Sequence, residues 1–124
     1  MKKMYFVLLL LAVLSATVVA QQAGDDENTP PPEYVPYDKA PEPVKMVQPK
    51  YPSIAIQKKV QGTVWVSMWV TKSGVVKKVD IAKTDSPFLN QAAIDAAMQW
   101  TFTPATIRNL PVAVWVKLPF KFRL

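Results

Sequence analysis

The sequence predicts a small α+β domain in which a three-stranded antiparallel sheet is covered on one face by two helices. Three observations support this fold class. Apolar residues fall on every even position from residue 112 to residue 124, which is the period of a half-buried strand. Two further alternating segments, residues 63–71 and 75–84, are joined by a Lys-Ser-Gly turn. An alanine-rich segment with helical spacing, residues 88–100, precedes the last strand.

Local signals predict the first helix and the hairpin turn. Ser53 is predicted to cap a two-turn helix that places Ile54 and Ala55 inward. In the turn between the first two strands, Gly74 is predicted to adopt a positive φ, because glycine reaches that region without a steric penalty. The two strands should therefore form a β-hairpin.

The resulting element order is α-β-β-α-β. Ser86 followed by Pro87 indicates the N-terminus of the second helix. Because this helix returns the chain along the sheet, the strand order 2-1-3 makes every neighbouring pair antiparallel. The last strand is then an edge strand, as Pro119 also indicates, since proline cannot donate to a ladder. The residues predicted to face the core are Val64, Val66, Met68, Val70, Val79, Ile81, Leu89, Ala92, Ala93, Ala96, Ala97, Trp100, Phe102, Phe120 and Phe122.

Composition divides the chain into three segments. Residues 1–20 have a lysine pair, an apolar stretch and a small-residue end at Ala20, the layout of a cleaved signal peptide, with an uncleaved signal anchor as the alternative. Residues 21–49 contain seven prolines, six acids and two lysines, and are predicted to be a disordered or polyproline-II-like linker. Residues 50–124 form the predicted domain. Either alternative for residues 1–20 exports the rest of the chain.

The residue types present argue against catalysis. The chain has no cysteine and no histidine, so disulfides, thiol nucleophiles and thiolate or imidazole metal sites are unavailable. The acids of the domain are Asp80, Asp85 and Asp95, with no general base beside them. We therefore expect a protein that is not an enzyme, with no catalytic residues, cofactor or metal.

Charge is distributed unevenly along the chain. Residues 50–124 carry eleven lysines or arginines against three aspartates, behind the acidic linker. These basic residues are scattered singly rather than in an arginine-rich run. This pattern argues against nucleic acid as a partner and leaves a solvated basic surface, an anionic membrane surface or an acidic partner segment.

Three tryptophans are predicted to lie on the sheet face opposite the helices. Trp65, Trp69 and Trp115 occupy odd positions of neighbouring strands. One interpretation is cross-strand aromatic packing that stabilises the sheet. The other is a surface for a partner or for the chain's own proline-rich leader, because polyproline-II segments dock on aromatic grooves.

A set of short motifs resembles the C-terminal domain of TonB, the periplasmic energy transducer of Gram-negative bacteria. The resemblance covers residues 48–124, and the acidic proline-rich leader is similar to the family's periplasm-spanning region. The motifs, in family order and spacing, are Gln48-Pro49-Lys50-Tyr51-Pro52, Gly62-Thr63-Val64, Gly74-Val75-Val76, Ala92-Ala93-Ile94, Trp100-Thr101-Phe102-Thr103-Pro104-Ala105 and Pro119-Phe120-Lys121-Phe122.

The resemblance implies a binding role. TonB-like domains capture an extended segment of an outer-membrane receptor, which adds as a strand to the last strand of the domain, and they transmit force from a proton-driven inner-membrane motor of ExbB/ExbD-like proteins. Mapped onto this sequence, the resemblance implies partner contacts at two places. They are the Tyr51 and Pro52 region and the pairing edge Val112, Ala113, Val114, Trp115, Val116 and Lys117.

The chain also departs from the family's pattern. Energy-transducing members carry a histidine in an uncleaved N-terminal helix, and this chain has no histidine. Two interpretations therefore stay open: a short transducer anchored to the inner membrane through residues 4–20, or a soluble periplasmic relative that uses the domain for interaction or dimerisation without motor coupling.

Overall fold

The computed structural model describes residues 28–124, so the predicted signal segment and the first part of the linker lie outside the described residues. The main sheet has the order β3-β2-β7 with antiparallel neighbours, which confirms the predicted order 2-1-3. The elements are β1 (Glu42–Lys45), α1 (Ser53–Gln57), β2 (Gly62–Val70), β3 (Val76–Thr84), a 3-10 turn (Pro87–Leu89), α2 (Asn90–Ala97), β4 (Thr101–Thr103), β5 (Ala105–Ile107), β6 (Leu110–Val112) and β7 (Val114–Phe122).

The core lies between the inner face of this sheet and α2. The even-numbered residues of β2, from Val64 to Val70, are fully buried, as the alternation predicted. Ala93 and Ala97 are also fully buried, and their small side chains let α2 approach the sheet closely. Phe120 and Phe122 of β7 complete the core and are 6% and 3% exposed. Burial of these apolar side chains supplies the main stabilisation of the fold.

The turn between β2 and β3 is built around Gly74. Its φ is +87°, as predicted, and its N–H donates to the Thr71 carbonyl at 2.9 Å. The Gly74 carbonyl accepts a hydrogen bond from the Phe102 N–H at 2.8 Å, which joins the turn to β4. A Cβ on residue 74 would lie 1.8 Å from the Phe102 carbonyl oxygen, so both the backbone angle and the close approach require glycine.

The N-terminal signal of the second helix is also confirmed. The Ser86 hydroxyl accepts a hydrogen bond from the Phe88 N–H at 3.3 Å, and Pro87 opens the 3-10 turn that leads into α2. The α-helix ends at Ala97, earlier than the periodicity predicted. Trp100 packs edge-on against Phe120 with ring centroids 5.7 Å apart, so the residues after α2 connect the helix to the sheet.

Two local predictions were wrong. Ser53 does not cap α1: Pro52 occupies the N-cap position and no side-chain capping bond forms. Ile54 is 43% exposed, and Ala55 is the residue of α1 that is buried. The helix is only five residues long, so few of its side chains can face the core, and the packing around the helix decides which ones do. After the helix, the Val60 N–H donates to the Ala55 carbonyl at 2.8 Å, a local bond that closes its C-terminal end.

The predicted linker, residues 21–49, differs from the structure in its second half. Glu42–Lys45 forms β1, which pairs antiparallel with β4. All four side chains of β1 are exposed, so main-chain hydrogen bonds form this strand. Further along, the Val47 carbonyl accepts a hydrogen bond from the Trp100 indole Nε1–H at 2.9 Å. A prediction based on apolar content could not detect order of this kind.

Candidate partner-binding edge

The three-stranded sheet has two edges, and β7 provides the more regular one. β7 pairs with β2 in unbroken register over nine residues, from Gly62 opposite Phe122 to Val70 opposite Val114. Within residues 28–124, no strand pairs with the other side of β7. Pro119 removes one N–H from the strand, and Val114–Leu118 precedes it without interruption. Five consecutive edge residues are therefore available as a template for another strand.

The opposite edge, β3, is poorly suited to strand addition. Its pairing with β2 shifts register twice, between Trp65 and Val66 and between Trp69 and Val70. β3 also carries three exposed lysines, Lys77, Lys78 and Lys83. Bulges and lysines are the features by which natural edge strands avoid pairing. β7 also carries exposed lysines, Lys117 and Lys121, so its regular register without bulges is what singles out β7 as the candidate binding edge.

The predicted pairing residues do not form one continuous strand. Val112 belongs to β6 and pairs with Ala105 of β5, and Ala113 lies between β6 and β7. Val114, Trp115, Val116 and Lys117 open β7 itself. Val114 is buried, Trp115 and Val116 are half-buried, and Lys117 is exposed. The break at residue 113 was not visible in the alternating pattern, because both strands keep the same period.

Tyr51 and Pro52 lie at the other end of β7. The Tyr51 ring meets Phe122 edge-on at 5.4 Å between centroids, and its hydroxyl donates to the Val60 carbonyl. Because strand residues rise by ~3.4 Å each, Val114 and Phe122 are separated by about 27 Å. The structure therefore places the two parts of the predicted site at opposite ends of one strand. A single ligand would need eight or so extended residues to contact both.

The tryptophan face is less open than predicted. Trp65 is 41% exposed, but Trp69 is only 4% exposed and packs against Trp115 with ring centroids 6.2 Å apart. The Lys77 ammonium lies 5.1 Å from the centroid of the Trp69 ring. Cross-strand packing of Trp69 on Trp115 thus stabilises the sheet, in agreement with the first interpretation.

A segment of the leader also contacts this face, and we call residues 31–39 the strap. The Trp115 indole Nε1–H donates to the Pro31 carbonyl at 2.8 Å. At the other end of the strap, the Asp38 carboxylate accepts a hydrogen bond from the Arg108 N–H at 2.6 Å, and Lys39 forms an antiparallel bridge with Thr106. This docking agrees with the second interpretation of the tryptophan face, in which the chain's own proline-rich leader binds an aromatic groove. The sequence feature that indicates it is the pair of tyrosines, Tyr34 and Tyr37, among the prolines of the strap.

An open cavity of about 860 Å³ lies between the strap and the sheet. Glu33 and Tyr34 of the strap line it together with Ser67, Asp80, Ala82, Trp115 and Lys117 of the three strands. The cavity is lined by acidic, basic, aromatic and small side chains. Among residues 28–124, no group of acidic side chains is arranged to hold a metal ion.

None of the helices within residues 28–124 has the length and apolar character needed to span a membrane.

The fold and its edge define a class: small α+β domains organised around one long, regular edge strand. Within that class, the chain belongs to the family described as Gram-negative bacterial TonB protein C-terminal, which matches residues 47–124. This confirms the resemblance on which the sequence-based interpretation rested.

Individual relatives agree with this assignment. Protein TonB of Vibrio cholerae is 34% identical over 79 residues, which cover 63% of this chain and 32% of the relative. Protein tonB2 of Pseudomonas aeruginosa is 32% identical over 77 residues, covering 61% of this chain and 28% of the relative. The solution NMR structure of the Pseudomonas aeruginosa TonB CTD shares the fold, with a TM-score of 0.57 and 24% identity over 70% of this chain and 89% of that one. The chain matches about a third of the length of these two relatives.

Proposed function

We propose that the chain is a TonB-like periplasmic protein that binds extended segments of outer-membrane transporters and transmits energy for transport across the outer membrane. The single observation that carries the proposal is the asymmetry of the sheet: β7 is regular and unpaired within residues 28–124, whereas the register of β3 is broken by two bulges. Membership of the TonB C-terminal family supports the choice of partner. The action is mechanical and electrostatic rather than catalytic.

Strand addition would use the main chain for affinity and the side chains for selectivity. An extended segment beside β7 forms main-chain hydrogen bonds with Val114–Leu118 and places alternate side chains on the two faces of the sheet. Lys117 and Lys121 are exposed on β7. A segment with acidic residues would therefore associate faster than a basic one, and this advantage should shrink as salt is added.

The protein would lie in the periplasm, either anchored to the inner membrane by its N-terminal segment and coupled to ExbB/ExbD-like motor proteins, or soluble after cleavage at Ala20. Residues 50–124 would act as the receptor-binding domain. Intact mass of the protein in membrane and soluble fractions distinguishes the two cases, since cleavage gives a chain that begins at Gln21.

The test of strand addition is an NMR titration of the ¹⁵N-labelled chain. Ten-residue peptides copied from the N-terminal segments of outer-membrane transporters of the same cell are added in turn. We expect amide shifts concentrated at Val114–Leu118 and little change along β3. The control is the best-binding peptide with every second backbone nitrogen methylated, which removes hydrogen-bond donors and keeps the side chains. Equal binding of both peptides, or shifts confined to β3, would contradict the proposal.

The same unpaired edge favours a second candidate, a dimerisation module in which β7 of one copy pairs antiparallel with β7 of another. The two functions differ in their response to peptide. Light scattering after size exclusion should give a monomer that binds peptide in the first case. A stable dimer whose mass is unchanged by saturating peptide would support the second.

A further inference from the structure

The strap occupies the same face of the sheet that an added strand would border. Trp115 and Lys117 of β7 line one cavity with Glu33 and Tyr34 of the strap. Side chains on neighbouring antiparallel strands lie about 4.5–5.5 Å apart at Cβ. A segment paired with β7 at these positions would therefore place side chains next to Trp115, whose indole N–H is already bound to Pro31.

The strap is held by hydrogen bonds at both ends, and between them by the apolar contact of Val35 with the core. Its first end is the bond from Trp115 to the Pro31 carbonyl, and its second is the set of bonds to Thr106 and Arg108. Between the ends, Val35 is half-buried against the core, whereas Tyr34 is 81% exposed. Segments with few buried apolar contacts and exposed main-chain bonds open at low free-energy cost. The strap is therefore a separable element of the domain.

The strap's composition suits reversible docking. Pro31, Pro32 and Pro36 restrict the backbone to extended conformations before it docks, so less conformational entropy is lost on docking. A tryptophan that donates to a proline carbonyl is a contact that aromatic grooves can make with polyproline-II segments.

We infer that the strap is a built-in competitor of the partner segment: it covers the open-face side of the β7 edge at rest and leaves when another strand adds to β7. This inference rests on the proposed function, because it concerns the same edge. Where only a fraction of molecules has the edge free, the apparent dissociation constant rises by the inverse of that fraction. A strap that is docked in nine molecules of ten would thus weaken partner binding about ten-fold.

The test compares two double variants of the full chain. Val35→Ser/Asp38→Ala removes the apolar contact and the carboxylate that binds the Arg108 N–H. Val35→Ile/Asp38→Asn is the matched control, since it keeps an apolar side chain and an acceptor oxygen while removing the same charge. Neither variant changes a residue of β7. Hydrogen exchange at the Trp115 indole reports whether the strap is docked. Titration with the transporter peptide that binds the wild type most tightly gives the dissociation constant.

The expected result for Val35→Ser/Asp38→Ala is faster exchange at the Trp115 indole and about ten-fold tighter peptide binding than the wild type. The control should match the wild type in both measurements. Two results would overturn the inference: unchanged or weaker peptide binding despite a released indole, or an indole that stays protected in Val35→Ser/Asp38→Ala. If no peptide shifts β7 amides in any of the three proteins, the proposed function itself fails, and the inference fails with it.

Discussion

Gly74 gives the sharpest test of how the hairpin is joined to the rest of the domain. The perturbation is Gly74→Ala, which adds one methyl group at a φ of +87° and at 1.8 Å from the Phe102 carbonyl oxygen. An L-residue at positive φ costs about 1–2 kcal/mol. Relieving the overlap must also displace the Phe102 N–H from the Gly74 carbonyl, a loss of about 1–2 kcal/mol for a buried group. We expect the free energy of unfolding to fall by about 2–4 kcal/mol.

The assay is urea unfolding followed by circular dichroism, with linear extrapolation to water. Ser73→Ala is the control from the same turn, because Ser73 is exposed and contributes one side-chain contact, at 3.0 Å from the Thr71 hydroxyl. It should cost less than about 1 kcal/mol. Gly74→Asn separates the two causes, since asparagine tolerates positive φ but still carries a Cβ. The reasoning is refuted if Gly74→Ala lies within about 1 kcal/mol of the wild type, or if asparagine restores full stability.

Three further predictions use the same unfolding measurement. Phe120→Ala should cost about 3–5 kcal/mol, because a ring that is 6% exposed is removed from the core, and a cost below 1 kcal/mol would place that ring outside it. Trp100→Phe should cost about 1–2 kcal/mol through loss of the bond to the Val47 carbonyl, and a neutral result would mean that this bond adds nothing to the fold. Asp85→Ala should cost about 1–2 kcal/mol, because the Asp85 carboxylate accepts a hydrogen bond from the Thr63 N–H at 2.9 Å. Asp85→Asn keeps an acceptor oxygen and should cost less, so equal losses for the two variants would contradict this reasoning.

The long strands and the sheet order could be predicted because each depends on a repeated pattern. The alternating apolar residues of β7, from Val114 to Phe122, and the four in β2 specify which side chains face the core, and a one-residue slip would expose them. The alternation continues in the sequence to Leu124, which lies beyond β7 and is 60% exposed. Pro119 added the edge position. These signals are distributed over many residues, so no single tertiary contact could override them.

The remaining elements could not be predicted, since they are too short to carry a pattern. β1, β4, β5 and β6 have three or four residues each and are formed by main-chain bonds. The orientation of Ile54 depends on the neighbours of a five-residue helix. The docking of the strap depends on single bonds such as the one from Trp115 to Pro31. The sequence shows that the leader contains residues able to dock on tryptophans. Which carbonyl accepts the hydrogen bond of a given indole N–H depends on the folded chain.

The order of the leader's contacts determines how the domain would respond to a pull on its N-terminal side. From Pro31 towards the core, tension meets the Trp115 bond first, then the Thr106 bridge, and then β1 on β4. These contacts are loaded one after another, so they would peel away at low force while β2 and β7 stay paired. Residues 31–45 span at most about 50 Å when fully extended, at ~3.3–3.6 Å each, and the gain in length is this span minus the distance that the docked segment already covers. The contacts of residues 31–45 would thus absorb the first extension before the pairing of β2 with β7 carries load.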